Sequence, residues 1–507
     1  MAFGLRQLQP EEMGRGGFTR TLIRLAIPSV VAGLLATTYE AVDGLFISWL
    51  GAKQITGIAF GSTVLFFAFA IGAAVQLGVA TLLSRRLGEN DPEGARNVLE
   101  QALLVSFVVG MVGSVLGPLT AKPVVAWLGA SGDELTHGAR YISRITMGMV
   151  FMHVGMTAEA GLRAQGNTVT GMHVSLLGNV ANLILDGFLI FGPNNPARDA
   201  PQVWGLRQAA AFFTEHGFDL GVQGGATATL MTRLLVVVLL LAALCSQRTR
   251  VRAGAPWRIR PNDFWRTVGQ IYVLGVPVTV SIVGMALSNG AINWILSQHN
   301  STAAGILGIA RRLEMFAFVP IFSLSGAVVP MVSYNLGAGL IPRCRRAILM
   351  GCLIAGVMMG AFGAVIFIFP APVLRLFTQN AEMLDMGVSY LRINSWSYFF
   401  VGCDIILSAG LQGLGRAILS TLAQLTRAVF VKIPAAWVLA TLMGVTGVWI
   451  SNPISTLACF SLASLLMWWA LRHIPRRTAR SEAAAASHDV VAPADLPAPS
   501  DMPPGMD

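Results

Sequence analysis

Apolar stretches of about 20 residues recur along this chain, separated by short polar segments. An α-helix of this length crosses a hydrocarbon core of roughly 30 Å. We therefore predict an all-α polytopic membrane protein. Its twelve transmembrane helices are expected at about 25–50, 57–83, 97–119, 139–162, 170–192, 223–246, 268–297, 304–333, 346–370, 384–411, 420–443 and 447–472.

The second half of the chain repeats the first at an offset of 249 residues. Pro28 corresponds to Pro277, the sequence SRRLG at 84–88 to SYNLG at 333–337, and Gly166 to Gly415. Each half holds six predicted spans, so both halves enter the membrane from the same side, as parallel repeats do in alternating-access transporters. We predict two pseudo-symmetric six-helix lobes, at 25–246 and 268–474.

The other segments flank, connect or interrupt these lobes. We expect a cytoplasmic N-terminal segment at 1–24, a cytoplasmic linker at 247–267 and a disordered cytoplasmic tail at 475–507, which is rich in Ala, Pro, Ser and Asp. An insertion at 193–222 occurs in the first half only. It carries Leu206, Ala209, Ala210 and Phe213 at helical spacing, which predicts a short amphipathic helix on the outer surface.

Charge is sparse, and its placement indicates the orientation. Charged residues make up 12% of the chain, against about 25% in soluble domains. The net charge of +10, from 35 Lys and Arg against 25 Asp and Glu, comes from arginines in alternate loops. This follows the positive-inside rule and does not indicate nucleic-acid binding. We expect a multi-pass protein of a bacterial inner (plasma) membrane with both termini in the cytoplasm.

Two predicted spans carry acids that are costly inside a membrane, which makes them functional candidates. Tyr39, Glu40 and Asp43 share one side of the first span, and Asn182 and Asp186 share a face of the fifth. Asp43 and Asp186 each lie five to seven residues before the outer end, roughly 8–10 Å at 1.5 Å per residue. Two carboxylates at one level cannot both ionise freely.

Such a pair makes a proton-coupling site, and the same oxygens with an amide and a hydroxyl would instead hold Na⁺. The alternative is a permanently protonated pair that only ties two helices together. The corresponding positions of the second half are the uncharged Ile292 and Ala435. The sequence therefore predicts coupling in the first lobe.

Other charged residues in the spans have open roles. Arg163 at i+4 favours a structural ion pair for Glu159, and Asp404 is also read as structural. Arg233 and Lys432 either snorkel or pair with an acid. The sequence contains no phosphate loop, HExxH, CxxC or nucleophile elbow. We predict no enzymatic activity, no cofactor and no ATP-driven transport.

Several motifs together resemble the multidrug and toxic compound extrusion (MATE) family, over about residues 15–475. The similar stretches are 39–43 with WLG at 49–51, SRRLG at 84–88, LRAQGNT at 162–168, NLILD at 182–186, GGATAT at 224–229 and SYNLGAG at 333–339. The likeness is closest to the branch that includes the DNA-damage-inducible and archaeal proteins.

This resemblance implies a V-shaped pair of six-helix lobes that exports organic cations or drugs in exchange for H⁺ or Na⁺. The implied coupling residues are Tyr39, Asp43, Asn182, Asp186 and Thr229, and Pro28 is the implied bend. The last four of those coupling residues would hold Na⁺. Glu40 departs from the family pattern as an extra protonatable group, which favours H⁺.

The expected partners are a cationic or amphipathic small molecule and the lipid bilayer, and the protein is expected to be a monomer. A second hypothesis is a flippase for lipid-linked precursors, which belongs to the same superfamily. That function needs a basic cavity, for which Arg233 and Lys432 are the candidates.

Overall fold

The computed structural model describes residues 8, 10–15, 17–48, 52–127, 129, 131–193, 204–246, 249–254 and 261–474. Within these ranges the description does not extend to the side chains of residues 18, 39–41, 43, 47, 48, 52–63, 133, 204–207, 209, 261, 262 and 301. The tail at 475–507, most of 1–9 and part of the linker therefore lie outside the described residues.

In the described residues of the first half, eight helices follow a 3₁₀ turn at Pro10–Met13. They are α1 Phe18–Ser48, α2 Ala52–Gly88, α3 Pro92–Trp127, α4 Gly132–Thr146, α5 Met149–Ala164, α6 Thr168–Ile190, α7 Trp204–His216 and α8 Val222–Cys245. α1 begins at Phe18, seven residues before the predicted start of the first span. α7 is the short helix predicted within the insertion.

Nine α-helical segments make up the second half as far as it is described, from 261 to 474. They are α9 Pro261–His299, α10 Ser301–Gly337, α11 Ile341–Ile368, α12 Pro370–Arg375, α13 Ala381–Ser395, α14 Tyr398–Gly413, α15 Ala417–Leu425, α16 Lys432–Met443 and α17 Val445–Arg472. A π-helical stretch at Thr426–Val431 joins α15 to α16. Asparagine side chains cap three helices, with Asn167 before α6, Asn300 before α10 and Asn380 before α13.

Ten helical segments of the described chain are long and apolar enough to cross a membrane. The two remaining predicted spans, 139–162 and 384–411, are each a pair of helices rather than the single helix we expected. α4 gives way to α5 at Met147–Gly148, and α13 gives way to α14 at Trp396–Ser397. These breaks lie 249 residues apart, which confirms the internal repeat.

The two halves contact each other mainly through their first two helices. α1 packs on α10, where Ser323 Oγ donates a hydrogen bond of 3.0 Å to the carbonyl of Ser29. α2 packs on α9, where Thr279 Oγ1 donates a hydrogen bond of 2.7 Å to the carbonyl of Ala70. The pairing is therefore symmetric, since the first helix of each half packs on the second helix of the other.

The halves also approach each other closely at the end of the bundle that carries Arg85, Arg86 and Arg343, which we call the arginine-rich end. Its repeated motifs form what we call the clasp, residues 84–88 and 333–337. A Cβ added to Gly88 would lie 2.0 Å from the carbonyl oxygen of Tyr334, and one added to Gly337 would lie 2.2 Å from that of Arg85. Only glycine permits such contact.

The serines of the clasp bind within their own halves. Ser84 Oγ donates to the carbonyl of Ala164 at 3.0 Å, and Ser333 Oγ donates to that of Gly413 at 2.9 Å. Donors and acceptors are both 249 residues apart. The repeat therefore extends to individual hydrogen bonds.

The segment before α1 crosses the arginine-rich end from one half to the other. Leu8 packs on Gly166 of the first half, and Glu11 forms an ion pair with Arg250 of the linker. The carbonyl of Met13 accepts hydrogen bonds from Asn335 Nδ2 at 3.1 Å and from the Arg343 guanidinium at 3.4 Å. This segment is a third connection between the halves, beside the clasp and the helix pairs.

Candidate functional site

α6 buries one polar face against the rest of the first half. Gly178, Asn182 and Asp186 lie at i, i+4 and i+8, and the last two side chains are 1% and 0% exposed. Large apolar side chains occupy the opposite face and are exposed, as expected against lipid: Leu176, Leu177, Val180, Leu183 and Ile184. Because lipid offers no hydrogen bonds, a helix in this setting turns its polar groups inward.

α8 supplies the neighbouring polar groups. Its close antiparallel packing on α6 depends on two glycines, since a Cβ on Gly224 would lie 2.2 Å from the carbonyl oxygen of Leu189 and one on Gly178 would lie 2.7 Å from Val236. This register puts Thr229 of α8, which is 3% exposed, at the level between Asn182 and Asp186. The structure therefore brings these three predicted residues to one interface.

α1 runs along the same interface, although the side chains of Tyr39, Glu40 and Asp43 lie outside the described part of the structure. The rings of Phe46 and Phe191 are 5.8 Å apart. These phenylalanines follow Asp43 and Asp186 by three and five residues, so positions 43 and 186 lie at similar levels of α1 and α6. Pro28 is buried inside α1, two turns after the arginine-bearing start of the helix.

The interface offers more hydrogen-bonding capacity than the described protein groups use. Nδ2 of Asn182, Nδ2 of Asn179 and Oγ1 of Thr232 are buried without a hydrogen-bond partner among the described residues. Buried polar groups of this kind are normally satisfied by water, an ion or a ligand. A carboxylate, two amides and hydroxyls suit either a proton with its water or a small hard cation.

Arg233, whose role the sequence leaves open, lies one turn further along α8 from Thr229. Its guanidinium acts electrostatically on His153 of α5, whose Nδ1 lies 2.8 Å from the Met149 carbonyl. Glu159 forms the ion pair with Arg163 that their spacing predicts. Both groups lie within the first half, and Nη1 of Arg233 is buried without a hydrogen-bond partner among the described residues.

The second half contains a charged cluster that the sequence analysis missed. Both the Tyr390 and the Tyr398 hydroxyl donate to Oε1 of Glu314, each at 2.7 Å. All three side chains are buried, at 9% exposure or less. Glu314 therefore does not make the local ion pair with Arg311 or Arg312 that its position in the sequence suggests.

Asp404 and Lys432 also belong to this cluster. The Arg427 guanidinium lies 3.6 Å from Oδ2 of Asp404, and the Cys459 thiol donates to Oδ1 at 3.1 Å. Lys432 interacts electrostatically with Arg427, Arg311 and Glu314. Arg427 and Lys432 in the span at 420–443 were the signal available in the sequence, because basic residues in an apolar span are rarely without a partner.

Comparison with known proteins is consistent with this architecture. The family model MatE matches residues 28–187 and again residues 277–438, one copy in each half. The FAD transporter of Shewanella oneidensis is 27% identical over 451 residues, which cover 88% of this chain and 94% of that protein. The multidrug export protein MepA of Staphylococcus aureus is 23% identical over 457 residues, which cover 89% and 94%.

A solved MOP-superfamily transporter from Pyrococcus furiosus shares the fold. It superimposes with a TM-score of 0.81 at 21% sequence identity, and the alignment covers 93% of this chain and 100% of that one. The predicted V-shaped, two-lobed helical fold is thereby confirmed. The family match and the named relatives confirm the prediction of a transporter rather than an enzyme. With a family model matched in each half and relatives aligned over nearly the whole chain, the protein belongs to the MatE family of membrane transporters.

Proposed function

We propose that this protein is a secondary active exporter that exchanges a small organic molecule for H⁺, with its coupling site in the first half. The site comprises Asp43, Asn182, Asp186 and Thr229, with Tyr39 and Glu40 on the same side of α1. The observation that carries the proposal is the completely buried carboxylate of Asp186 inside a membrane span, beside Asn182 and Thr229.

Protonation strongly changes the energy of such a site. A carboxylate that is charged in a low-dielectric interior needs polar partners, whereas the neutral acid does not. If Asp43 and Asp186 face one space, gaining a proton removes their repulsion and lets α1 settle against α6. Pro28 in α1 supplies a place to bend, because a proline removes one backbone hydrogen bond of the helix. No organic cofactor is required.

Na⁺ is the alternative coupling ion. Asp43 and Asp186 would supply charged oxygens, and Asn182 and Thr229 would supply neutral ones, a set of ligands that hard cations accept. We favour H⁺ because Glu40 adds a third protonatable group to this side of α1. The two ions differ in a measurable way, since only one gradient drives transport in each case.

The orientation follows from the arginines. With the arginine-rich end in the cytoplasm of a bacterial cell, both termini are cytoplasmic and α7 lies outside. Because the clasp and the N-terminal segment join the halves at the arginine-rich end, the structure then corresponds to an outward-facing state. We propose that a monomer is the transporting unit, since both halves of the fold lie within one chain.

Two substrate classes follow from the resemblance and from the relatives. Organic cations are the expectation for the family, whereas the relative in Shewanella oneidensis is named for FAD. The flippase hypothesis needs Arg233 and Lys432 in one basic cavity. They lie in different halves with different neighbours, His153 for Arg233 and Arg427 for Lys432, which does not favour a shared pyrophosphate site.

The test is gradient-driven transport in proteoliposomes. Proteoliposomes that carry the wild type, Asp43→Asn or Asp186→Asn are loaded with a fluorescent cationic dye or a flavin. A pH gradient and a Na⁺ gradient are then imposed in separate experiments. We expect transport with the pH gradient in the wild type and its loss in both variants, but not in Glu159→Gln, whose acid is ion-paired elsewhere. Retention of pH-driven transport in both aspartate variants refutes the coupling site.

A further inference from the structure

Three basic side chains come together within the spans of the second half. Arg311 is on α10, Arg427 is in the π-helical stretch and Lys432 begins α16. Lys432 interacts electrostatically with both arginines. The three are half-buried rather than exposed at a membrane surface, so they form a site inside the bundle.

The π-helical stretch is what places Arg427 and Lys432 together. Five residues of regular α-helix would turn the second side chain roughly 140° away from the first, at 3.6 residues per turn. Here the Lys432 N–H instead bonds the Arg427 carbonyl five residues back, so Lys432 lies about one turn above Arg427. Such single-turn insertions are frequent at functional sites.

Positive charge exceeds negative charge in this cluster. Asp404 is paired with Arg427, and Glu314 accepts two tyrosine hydrogen bonds. Arg311 donates only a weak hydrogen bond, 3.4 Å to Oδ1 of Asn293, and Lys432 has no ion pair or hydrogen bond to any described residue. Unpaired cations in a membrane interior are costly and indicate a functional partner.

The cluster lies at the depth of the proposed coupling site. α1 and α10 run antiparallel and meet where Gly33 packs on Val319 and Ser323. From that contact, Arg311 lies eight residues further toward the end that carries α7, about 12 Å at 1.5 Å per residue. Asp43 lies ten residues along α1 in the same direction, about 15 Å. The acids of one half and the cations of the other are therefore level.

We propose that Arg311, Arg427 and Lys432 bind a phosphate group of the transported molecule. Guanidinium groups match phosphate oxygens through paired N–H donors, and an ammonium adds a compact charge. Such a ligand supplies the negative charge that the cluster lacks. This assignment of substrate class rests on the proposed transport function, but binding itself needs neither a gradient nor a coupled ion.

The experiment compares ligands that differ only by the phosphate. Binding of flavin mononucleotide against riboflavin, and of adenosine monophosphate against adenosine, is measured by titration of purified full-length protein in nanodiscs. We expect the phosphate-bearing member of at least one pair to bind about tenfold more tightly or better, given the strength of charge-assisted hydrogen bonds. Inorganic diphosphate should compete with it.

Variants locate the binding. Lys432→Met and Arg311→Gln should each reduce the preference for phosphate about tenfold, whereas Lys432→Arg and the exposed Arg346→Gln should retain it. If the wild type shows no preference for the phosphate-bearing ligand in either pair, the proposal is overturned. This result does not depend on whether the variants fold. A preference that survives both Lys432→Met and Arg311→Gln overturns it as well.

Failure of this proposal is distinguishable from failure of the proposed function. The Asp186→Asn protein should keep its phosphate preference in nanodiscs while losing pH-driven transport in proteoliposomes. If transport is coupled to H⁺ but phosphate is not preferred, only the substrate class is wrong. If phosphate is preferred but Asp186→Asn still transports, only the coupling site is wrong.

Discussion

Adding one methyl group to the clasp should open the arginine-rich end. Gly88→Ala places a Cβ 2.0 Å from the carbonyl oxygen of Tyr334, and Gly337→Ala places one 2.2 Å from that of Arg85. Neither obstacle is a flexible side-chain end, since both are backbone atoms of the opposite half. The two halves must therefore separate by more than about 1 Å to restore ordinary contact, because interiors are close-packed.

The magnitude follows from the cost of overpacking, which is about 1–3 kcal/mol for one added methyl group. The clash exists only while the halves are in contact, so the whole penalty falls on the closed state. A difference of this size changes the ratio of closed to open forms about 5- to 150-fold. A protein that is mostly closed at this end in the wild type should become measurably open in either variant.

Spin labels at two exposed positions, Glu93 in the first half and Arg346 in the second, measure the separation. The five native cysteines are free and must first be replaced. The distance distribution should shift to longer values in Gly88→Ala and Gly337→Ala. Gly269→Ala is the matched control, because its Cβ would meet nothing within 4 Å. Distributions that stay identical across all three variants refute the close contact of the clasp.

Two further predictions concern stability. Tyr398→Phe removes one of the two hydroxyls that bind Glu314, so it should destabilise the second half by about 1.5–3 kcal/mol and lower the melting temperature. The control Tyr272→Phe should leave the melting temperature unchanged. Equal melting temperatures for the two variants would contradict the hydrogen bond from Tyr398 to Glu314. Asn335→Ala removes a donor to the Met13 carbonyl and should accelerate proteolytic cleavage within the segment before α1. The control is Gln379→Ala, at an exposed position, which should leave the cleavage rate unchanged. Equal cleavage rates in the two variants would show that other contacts hold the N-terminal segment.

The sequence predicted the fold because its signal is local and repeated. Twelve apolar stretches and the 249-residue offset required no knowledge of distant contacts, and α7 followed from helical spacing. The breaks at Gly148 and Ser397 were missed, since apolar residues on both sides of each break make the two short helices look like one span. At the first break the Val150 N–H donates to Ser114 Oγ at 3.0 Å, a partner 36 residues away that hydropathy does not reveal.

The candidate site was predicted unevenly for a similar reason. Asn182 and Asp186 share a face because they are four residues apart, so local spacing placed them correctly on the buried side of α6. The cluster around Glu314 depends on tyrosines 76 and 84 residues away in the sequence. Arg427 and Lys432 are aligned by a π-helical stretch, whereas the regular α-helix assumed from the sequence separates them.

The two proposed sites raise a question about the sign of their coupling. A phosphate bound to Arg311 and Lys432 cancels positive charge near the acids of the first half. By charge alone, those acids would then hold protons more tightly, and H⁺ and substrate would bind together. Exchange in opposite directions requires the reverse, so the link between the sites must be conformational, through an element that both sites bias.

α1 is that element, because it carries Asp43, packs on α6 and contacts α10, the helix of Arg311. The hydrogen bond from Ser323 to the Ser29 carbonyl joins α10 to α1 one residue beyond Pro28. Adding flavin mononucleotide to weakly buffered wild-type protein should therefore release protons, and riboflavin should release fewer. Ser323→Ala should diminish the release, whereas Ser325→Ala, whose hydroxyl bonds only within α10, should not. Proton uptake instead of release would show that direct electrostatics dominates and would overturn the antiport.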